Sequence, residues 1–174
     1  VISLTRGGYI KRTKSDNYRQ QHRGGKGVIG MTTREEDAVA TLQVANTHDY
    51  ALFFTNKGRG FSAKVHEIPD ASRQNKGIPI VNLPGVQAIG ETPVATIILN
   101  GFTPGSYLAF STKKGIIKKT AIEQFEKVRS TGIIAITLDK GDELAQVIPT
   151  SGEDDIVLAT RQGRICRFHE KEAR

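Results

Sequence analysis

The chain has 174 residues, 37% hydrophobic and 25% charged, a balance that supports a packed core and carries no signature of disorder. Its formal net charge of +7 favours a polyanionic partner, with nucleic acid ahead of a membrane because no basic amphipathic helix is evident. The longest apolar runs, at 94–99 and 133–136, are far too short to cross a bilayer, and the single cysteine, Cys166, excludes an internal disulfide framework and suits a reducing cytoplasm.

The first predicted element is a β-hairpin in VISLTRGGYIKRT from Val1, turning near Gly8. A basic, glycine-rich loop follows at Gln21-His22-Arg23-Gly24-Gly25-Lys26-Gly27. Its glycines let the backbone approach a ligand closely while Arg23 and Lys26 supply positive charge, so it reads as an anion-binding loop. A strand is expected in VIGMTT from Val28, then an acidic turn at Glu35-Glu36-Asp37 and another strand from Ala38 to Val44.

The plan then recurs. Hairpins are predicted in ALFFTNKGRGFSA from Ala51, YLAFSTKKGIIKKT from Tyr107 and IVLATRQGRICRF from Ile156. β-Branched and aromatic residues flank each short turn, and Gly8, Gly58, Gly115 and Gly163 sit where a type I turn with a following bulge needs a positive φ. Thr5, Thr55, Thr112 and Thr160 keep the same phase. A second glycine follows at Gly27, Gly77 and Gly132, ahead of strand candidates VIGMTT, IPIVNL from Ile78 and IIAITL from Ile133. Further strands are expected at 94–99 and 144–148, and the best helical signal is one turn near Ala121 to Glu126.

Four short strands in about 50 residues match one blade of a propeller-like fold. The expected architecture is therefore all-β, with blade-like repeats at 1–49, 50–105, 106–155 and an incomplete 156–174. Because it opens on Val1 rather than methionine, the chain is expected to be a piece of a longer protein.

Charge is uneven along the repeats. Between Arg6 and Lys26, seven basic residues (Arg6, Lys11, Arg12, Lys14, Arg19, Arg23, Lys26) face one acid, Asp16. Acids gather in later turns, at Glu35 to Asp37, at Asp139 with Asp142-Glu143, and at Glu153 to Asp155. Radial stacking is expected to place basic hairpins and acidic turns on separate parts of the surface, leaving a basic rim that attracts phosphate. Lys11-Arg12, Lys118-Lys119 and Arg167 repeat at one phase. Phe61-Ser62 break it in the second unit, where Arg59, Lys64, Arg73 and Lys76 offset a weaker contact.

No catalytic constellation is expected. His22, His48, His66 and His169 lack metal-ligand spacing, and no phosphate loop, nucleophile elbow or recurring carboxylate pair is present. Tyr9, Tyr50 and Tyr107 fall on hairpin strands, where packing is expected, and Tyr18 lies among basic loop residues. So few rings disfavour stacking on unpaired bases, and duplex DNA gripped by its phosphates is the better target.

The box from Gln21 to Gly27, together with GGYIKRT, LQVANTHDYALFFTNKGRGF, KGIPIVNL, TGIIAITLDKGDEL and RQGRICRFHE, resembles the C-terminal domain of DNA gyrase A, over essentially the whole chain and in the order that family has them. The family's box carries arginine where this chain has His22, a departure that would make that contact pH-sensitive.

The resemblance implies a six-bladed β-pinwheel with strands exchanged between neighbouring blades, of which about three and a half blades are present. Its basic outer rim wraps duplex DNA. By this likeness the DNA-binding residues are the box, Gln21, His22, Arg23, Gly24, Gly25, Lys26 and Gly27. The rim adds Arg6, Lys11, Arg12, Lys14, Arg19, Arg59, Lys64, Arg73, Lys76, Lys113, Lys114, Lys118, Lys119, Arg161, Arg164 and Arg167. It also implies partnership with the rest of the gyrase A protein and with the gyrase B protein in an A2B2 assembly, in the cytoplasm at the nucleoid. ATP, Mg²⁺ and the DNA-breaking tyrosine belong to that assembly, with no cofactor, metal or catalytic residue in this piece. Two other readings are a topoisomerase IV counterpart that selects DNA without strong wrapping and a propeller-type scaffold that meets an acidic protein.

Overall fold

Hairpins organise the chain, as their turn chemistry dictates. The computed structural model describes residues 1–173, so Arg174, at the end of the fourth expected repeat, lies outside the described residues. The strands are β1 (Ile2–Thr5), β2 (Tyr9–Arg12), β3 (Val39–Gln43), β4 (Tyr50–Thr55), β5 (Arg59–Lys64), β6 (Ile78–Pro79) and β7 (Pro93–Leu99), followed by β8 (Tyr107–Thr112), β9 (Ile117–Ala121), β10 (Ile133–Ile134), β11 (Leu144–Thr150), β12 (Asp155–Ala159) and β13 (Ile165–His169). Helical structure among the described residues is limited to short 3-10 turns, including Ile122–Phe125 where one helical turn was expected. Among the described residues, no helix is long and apolar enough to cross a membrane.

Each hairpin turns on the predicted glycine. Gly8, Gly58, Gly115 and Gly163 have φ of 82°, 74°, 90° and 78°, and each amide donates to the carbonyl of the threonine three residues earlier at 2.9–3.0 Å. The threonine recurs for a second reason. The Oγ1 atoms of Thr5, Thr112 and Thr160 accept the amides of Tyr9, Ile116 and Arg164, each at 3.1 Å.

Sheets and repeats do not coincide. The first sheet runs β3-β1-β2-β6 and the second β10-β5-β4-β7, so each takes its fourth strand from the following repeat. The third runs β11-β8-β9, and the fourth is the hairpin β12-β13. Exchange is antiparallel, with Ile78 opposite Ile10 and Ile133 opposite Gly60. It requires glycine at the joint. A β-carbon on Gly77 would lie 2.2 Å from the Ile10 carbonyl oxygen, and one on Gly132 would lie 2.9 Å from that of Gly60, both at positive φ.

This dependence on a neighbour corrects three strand expectations. IPIVNL forms only the two-residue β6 before a 3-10 turn at Ile80–Asn82, and IIAITL only the two-residue β10. VIGMTT forms no strand, because no sheet edge pairs with it.

Two apolar clusters lie between successive sheets, and β4 serves both by strand alternation. Ala51 and Phe53 join Ile10, Phe61 and Ile68 on one face, while Leu52 and Phe54 join Phe110, Phe125 and Val147 on the other. Phe54 meets Phe110 and Phe125 edge-on, at ring separations of 5.2 and 5.4 Å.

Candidate nucleic-acid interface

The glycine-rich loop is a closed structure. His22 to Gly25 form a turn in which the Gly25 amide donates to the His22 carbonyl at 3.0 Å and Gly24 takes φ 83°. The Gln21 side chain spans the whole segment, its Oε1 accepting the Gly27 amide at 2.9 Å. Gly25 must remain glycine, since a β-carbon there would lie 2.4 Å from that same oxygen. Tyr18, considered as a contact residue, instead donates its hydroxyl to the Gly30 carbonyl at 3.3 Å and ties down the base of the arm. The fold thus leaves Arg23 at the turn's corner and Lys26 beside it. Both are exposed, and among the described residues neither is paired with a carboxylate.

Arg6, Lys14 and Arg19 are likewise exposed and unpaired among the described residues. Arg19 lies with Asp16, Gln20 and Gln21 on one wall of a cleft whose other wall is Ser72 and Arg73 of the second repeat. The cleft brings the box beside its counterpart loop, which carries Arg73 and the exposed Lys76. The first-repeat arm and the second-repeat loop therefore form one continuous basic region.

Lys11 is a correction to the expected rim. It is 0% exposed, and its ammonium donates to the carbonyls of Ser72, at 3.0 Å, and Arg73. Burial pulls its pKa below the ordinary lysine value, with the Arg73 charge adding to the effect. Arg12 and Thr13 act in the same way, Arg12 Nε donating to the Ile68 carbonyl and Thr13 Oγ1 to that of Ala71, both at 3.1 Å. The run Lys11-Arg12-Thr13 is a staple between repeats.

Other rim residues divide by partner. Lys118 is half-buried and donates to the Ala135 carbonyl at 2.7 Å. Lys119 stands 3.7 Å from buried Glu170 and 4.6 Å above the Tyr107 ring. Arg59 pairs with Glu91 at 2.5 Å and Lys113 with Glu143 at 2.6 Å. Lys114 reaches the Lys140 carbonyl, Lys64 lies 3.4 Å over the Tyr50 ring, and Arg167 Nε binds Asp155 at 2.9 Å. Arg161 and Arg164 on the fourth hairpin are exposed.

The expected separation of basic hairpins from acidic turns does not occur. In the first three units an acid-bearing turn folds back onto the hairpin tip, whereas Glu153 to Asp155 lie at the open end of the fourth hairpin, where Asp155 accepts from Arg167 and Glu153 from Lys171. Asp37 Oδ1 accepts the amides of Gly7 and Ala38, each at 2.8 Å. Asp142 Oδ1 accepts those of Lys114 at 3.1 Å and Glu143 at 2.8 Å, and Thr55 donates its hydroxyl to Glu91 at 2.5 Å. The physical reason is local: a tight turn leaves outward amides without partners, and a carboxylate satisfies them. Burial opposes ionisation of Asp37, but hydrogen bonds from Thr5, Gly7 and Ala38, with Arg34 nearby, hold its carboxyl below the usual carboxylate range. Asp142 is held low against burial by Thr112 and the two amides.

Sequence reasoning missed Arg34. Its guanidinium lies 4.8 Å over the Tyr9 ring, which Lys76 also approaches at 5.7 Å, so the first and second repeats place two cations on one ring. Arg34 was hidden by the acids that follow it, and only its position three residues before the capping Asp37 could have signalled proximity to the hairpin. Among the described residues, no three His, Cys, Asp or Glu side chains group to hold a metal ion.

Comparisons with known proteins agree with this geometry. The family model described as DNA gyrase C-terminal domain, beta-propeller, matches residues 1–46, 49–85, 106–151 and 154–174. The DNA gyrase A protein of Clostridium acetobutylicum is 45% identical over 174 residues, and that of Halalkalibacterium halodurans is 46% identical over 175. Each comparison covers 100% of this chain and 21% of the relative, so the chain spans about a fifth of those proteins' length. A crystal structure of the C-terminal domain of DNA topoisomerase IV aligns with a TM-score of 0.81 at 30% identity, covering 98% of this chain and 51% of that one. A DNA gyrase A C-terminal domain aligns with a TM-score of 0.72 at 23% identity over 99% and 55%, a likeness of fold.

Proposed function

The chain belongs to the DNA gyrase C-terminal domain family, and from that premise we propose that it binds duplex DNA without sequence preference and bends it around the basic region centred on the box. The observation that carries this reading is the Gln21-locked loop, which holds Arg23 and Lys26 exposed and free of carboxylate partners among the described residues. Phosphates are its targets, with Arg6, Lys14, Arg19, Arg73, Lys76 and Arg34 extending the track. Arg59, Lys113 and Arg167 contribute less, because their charge is already matched.

In a whole gyrase, this element would present a wrapped segment to the strand-passage machinery formed by the rest of the gyrase A protein and by the gyrase B protein, so that passage yields negative supercoils. ATP and Mg²⁺ act in that machinery, at the nucleoid, and this chain cuts no DNA. Bending a half-turn over about 40 base pairs costs on the order of 10 kcal/mol by elastic scaling. Released counterions from phosphate contacts are the available source of that energy.

The salt dependence of duplex affinity tests this. Replacing Arg23 and Lys26 together by alanine is expected to lower the slope of log K against log salt by about 2, at roughly 0.9 per phosphate contact. An unchanged slope refutes the role assigned to the box. The likeness to a topoisomerase IV domain favours a second reading, DNA selection without wrapping. In that case the slope responds but DNA topology does not. A scaffold for an acidic protein binds duplex DNA weakly at moderate salt.

A further inference from the structure

The third unit carries one carboxylate more than its turn requires. Asp37, Glu91 and Asp142 occupy one place in the repeat, each engaging the hydroxyl of its own hairpin's threonine, Thr5, Thr55 or Thr112. The residue after each of them, Ala38, Thr92 or Glu143, accepts the amide of the tip residue Arg6, Asn56 or Lys113 through its backbone carbonyl, at 2.8–2.9 Å. Alanine and threonine make that bond as well as glutamate does. The Glu143 side chain is therefore free for another task.

The hairpin tips of the second and third units converge on it. Its Oε2 accepts Lys113 Nζ at 2.6 Å, and its Oε1 accepts Asn56 Nδ2 at 3.4 Å across the joint between units. Asn56 is fixed for this contact, since its Oδ1 accepts the Thr92 amide and its carbonyl accepts the Leu144 amide, each at 3.0 Å. The Lys113 hydrogen bond and charge, with smaller help from Asn56 and from the Lys57 charge, hold the Glu143 carboxyl below the usual range against burial. Lys57 is exposed and, among the described residues, forms no ion pair. At the preceding joint Thr92 stands in the place of Glu143, and Arg6 of the first tip is left exposed and unpaired among the described residues.

Two oxygens of one anion thus take donors from two hairpin tips, with a second lysine beside them. The non-bridging oxygens of a phosphodiester accept the same donors and carry the same charge. The Lys113 and Glu143 side chains are 65% and 34% exposed, and an ion pair so open to water exchanges partners readily.

We propose that Asn56, Lys57 and Lys113 form a second phosphate-binding site, bridging the second and third units, which Glu143 occupies as a built-in competitor. This rests on the reading of duplex DNA as the ligand. DNA fills the site only by displacing Glu143, which then takes up a cation from solution. For Lys113 that exchange releases no net counterion, so the unmodified chain gains little salt-dependent affinity there. The box has no such competitor. DNA engages the box first and this site afterwards, and Glu143 limits how far binding extends along the units.

Glu143→Thr, which copies Thr92, tests this and keeps the backbone bonds of the turn. In titrations of a short duplex, the slope of log K against log salt is expected to steepen by about 1, at roughly 0.9 per phosphate paired without a competitor. Adding Lys113→Ala to Glu143→Thr is expected to return the slope to that of the unmodified chain. An unchanged slope in Glu143→Thr overturns the proposal. So does a steeper slope that survives Lys113→Ala, because Glu143 would then act by general repulsion of DNA rather than by occupying the site. Repeating the pair with Arg23 and Lys26 replaced by alanine separates the two sites: a gain from Glu143→Thr without any loss from the box substitutions fails the box reading alone.

Discussion

Gln21 closes the loop that it opens: its side-chain oxygen accepts the Gly27 amide at 2.9 Å, six residues along the chain. One side chain thereby fixes the segment carrying Arg23 and Lys26, without adding charge. Gln21→Ala is expected to weaken duplex binding severalfold at every salt concentration while leaving the salt slope unchanged, because the same charges are presented from a looser loop. Titrations at two salt concentrations check this. A changed slope would mean that Gln21 acts through the number of phosphate contacts rather than through loop geometry.

Lys11 separates charge from function. Its buried ammonium binds the carbonyls of Ser72 and Arg73, so Lys11→Met is expected to cost about 1.5–3 kcal/mol of unfolding free energy, the range for hydrogen bonds to a charged group. The salt slope for DNA is expected to stay unchanged. Denaturant unfolding and DNA titration of the same sample measure both, and a slope reduced by about 1 would return Lys11 to the phosphate track.

Asp37 couples stability to acidity. Its folded pKa lies below the unfolded value, despite the opposing effect of burial, because Thr5, Gly7 and Ala38 hydrogen-bond the ionised form. That contribution is fully present above the unfolded pKa of about 3.9 and is lost as pH falls through the lower folded value. The stability gap between the unmodified chain and Asp37→Asn is therefore expected at neutral pH and should close in acid. Urea midpoints across that range measure it, and a gap independent of pH contradicts the assignment.

The hairpins were legible because their cause is local: Thr5 and Gly8, like Thr112 and Gly115, carry the whole turn in four residues. The exchanged strands were not, because Ile78 and Ile133 become strands only by meeting Ile10 and Gly60 of another repeat, and Val28 has no such partner. Charge misled for a similar reason. Lys11 and Arg23 look alike in sequence, yet one is buried against two carbonyls and the other stands at the corner of a turn. The acids at Asp37 and Asp142 seemed a separate surface because sequence distance conceals their return to Gly7 and Lys114.

A box that holds Arg23 and Lys26 at a fixed corner, beside Arg73 and Lys76 of the next repeat, imposes a directed path on duplex DNA. Nicked circular DNA ligated around the chain and then stripped of protein keeps a record of that path in its linking number. Topoisomers are expected to be displaced in one direction, increasingly so with protein per DNA, with the displacement abolished by replacing Arg23 and Lys26. An unshifted distribution on DNA saturated with the unmodified chain would contradict a directed path.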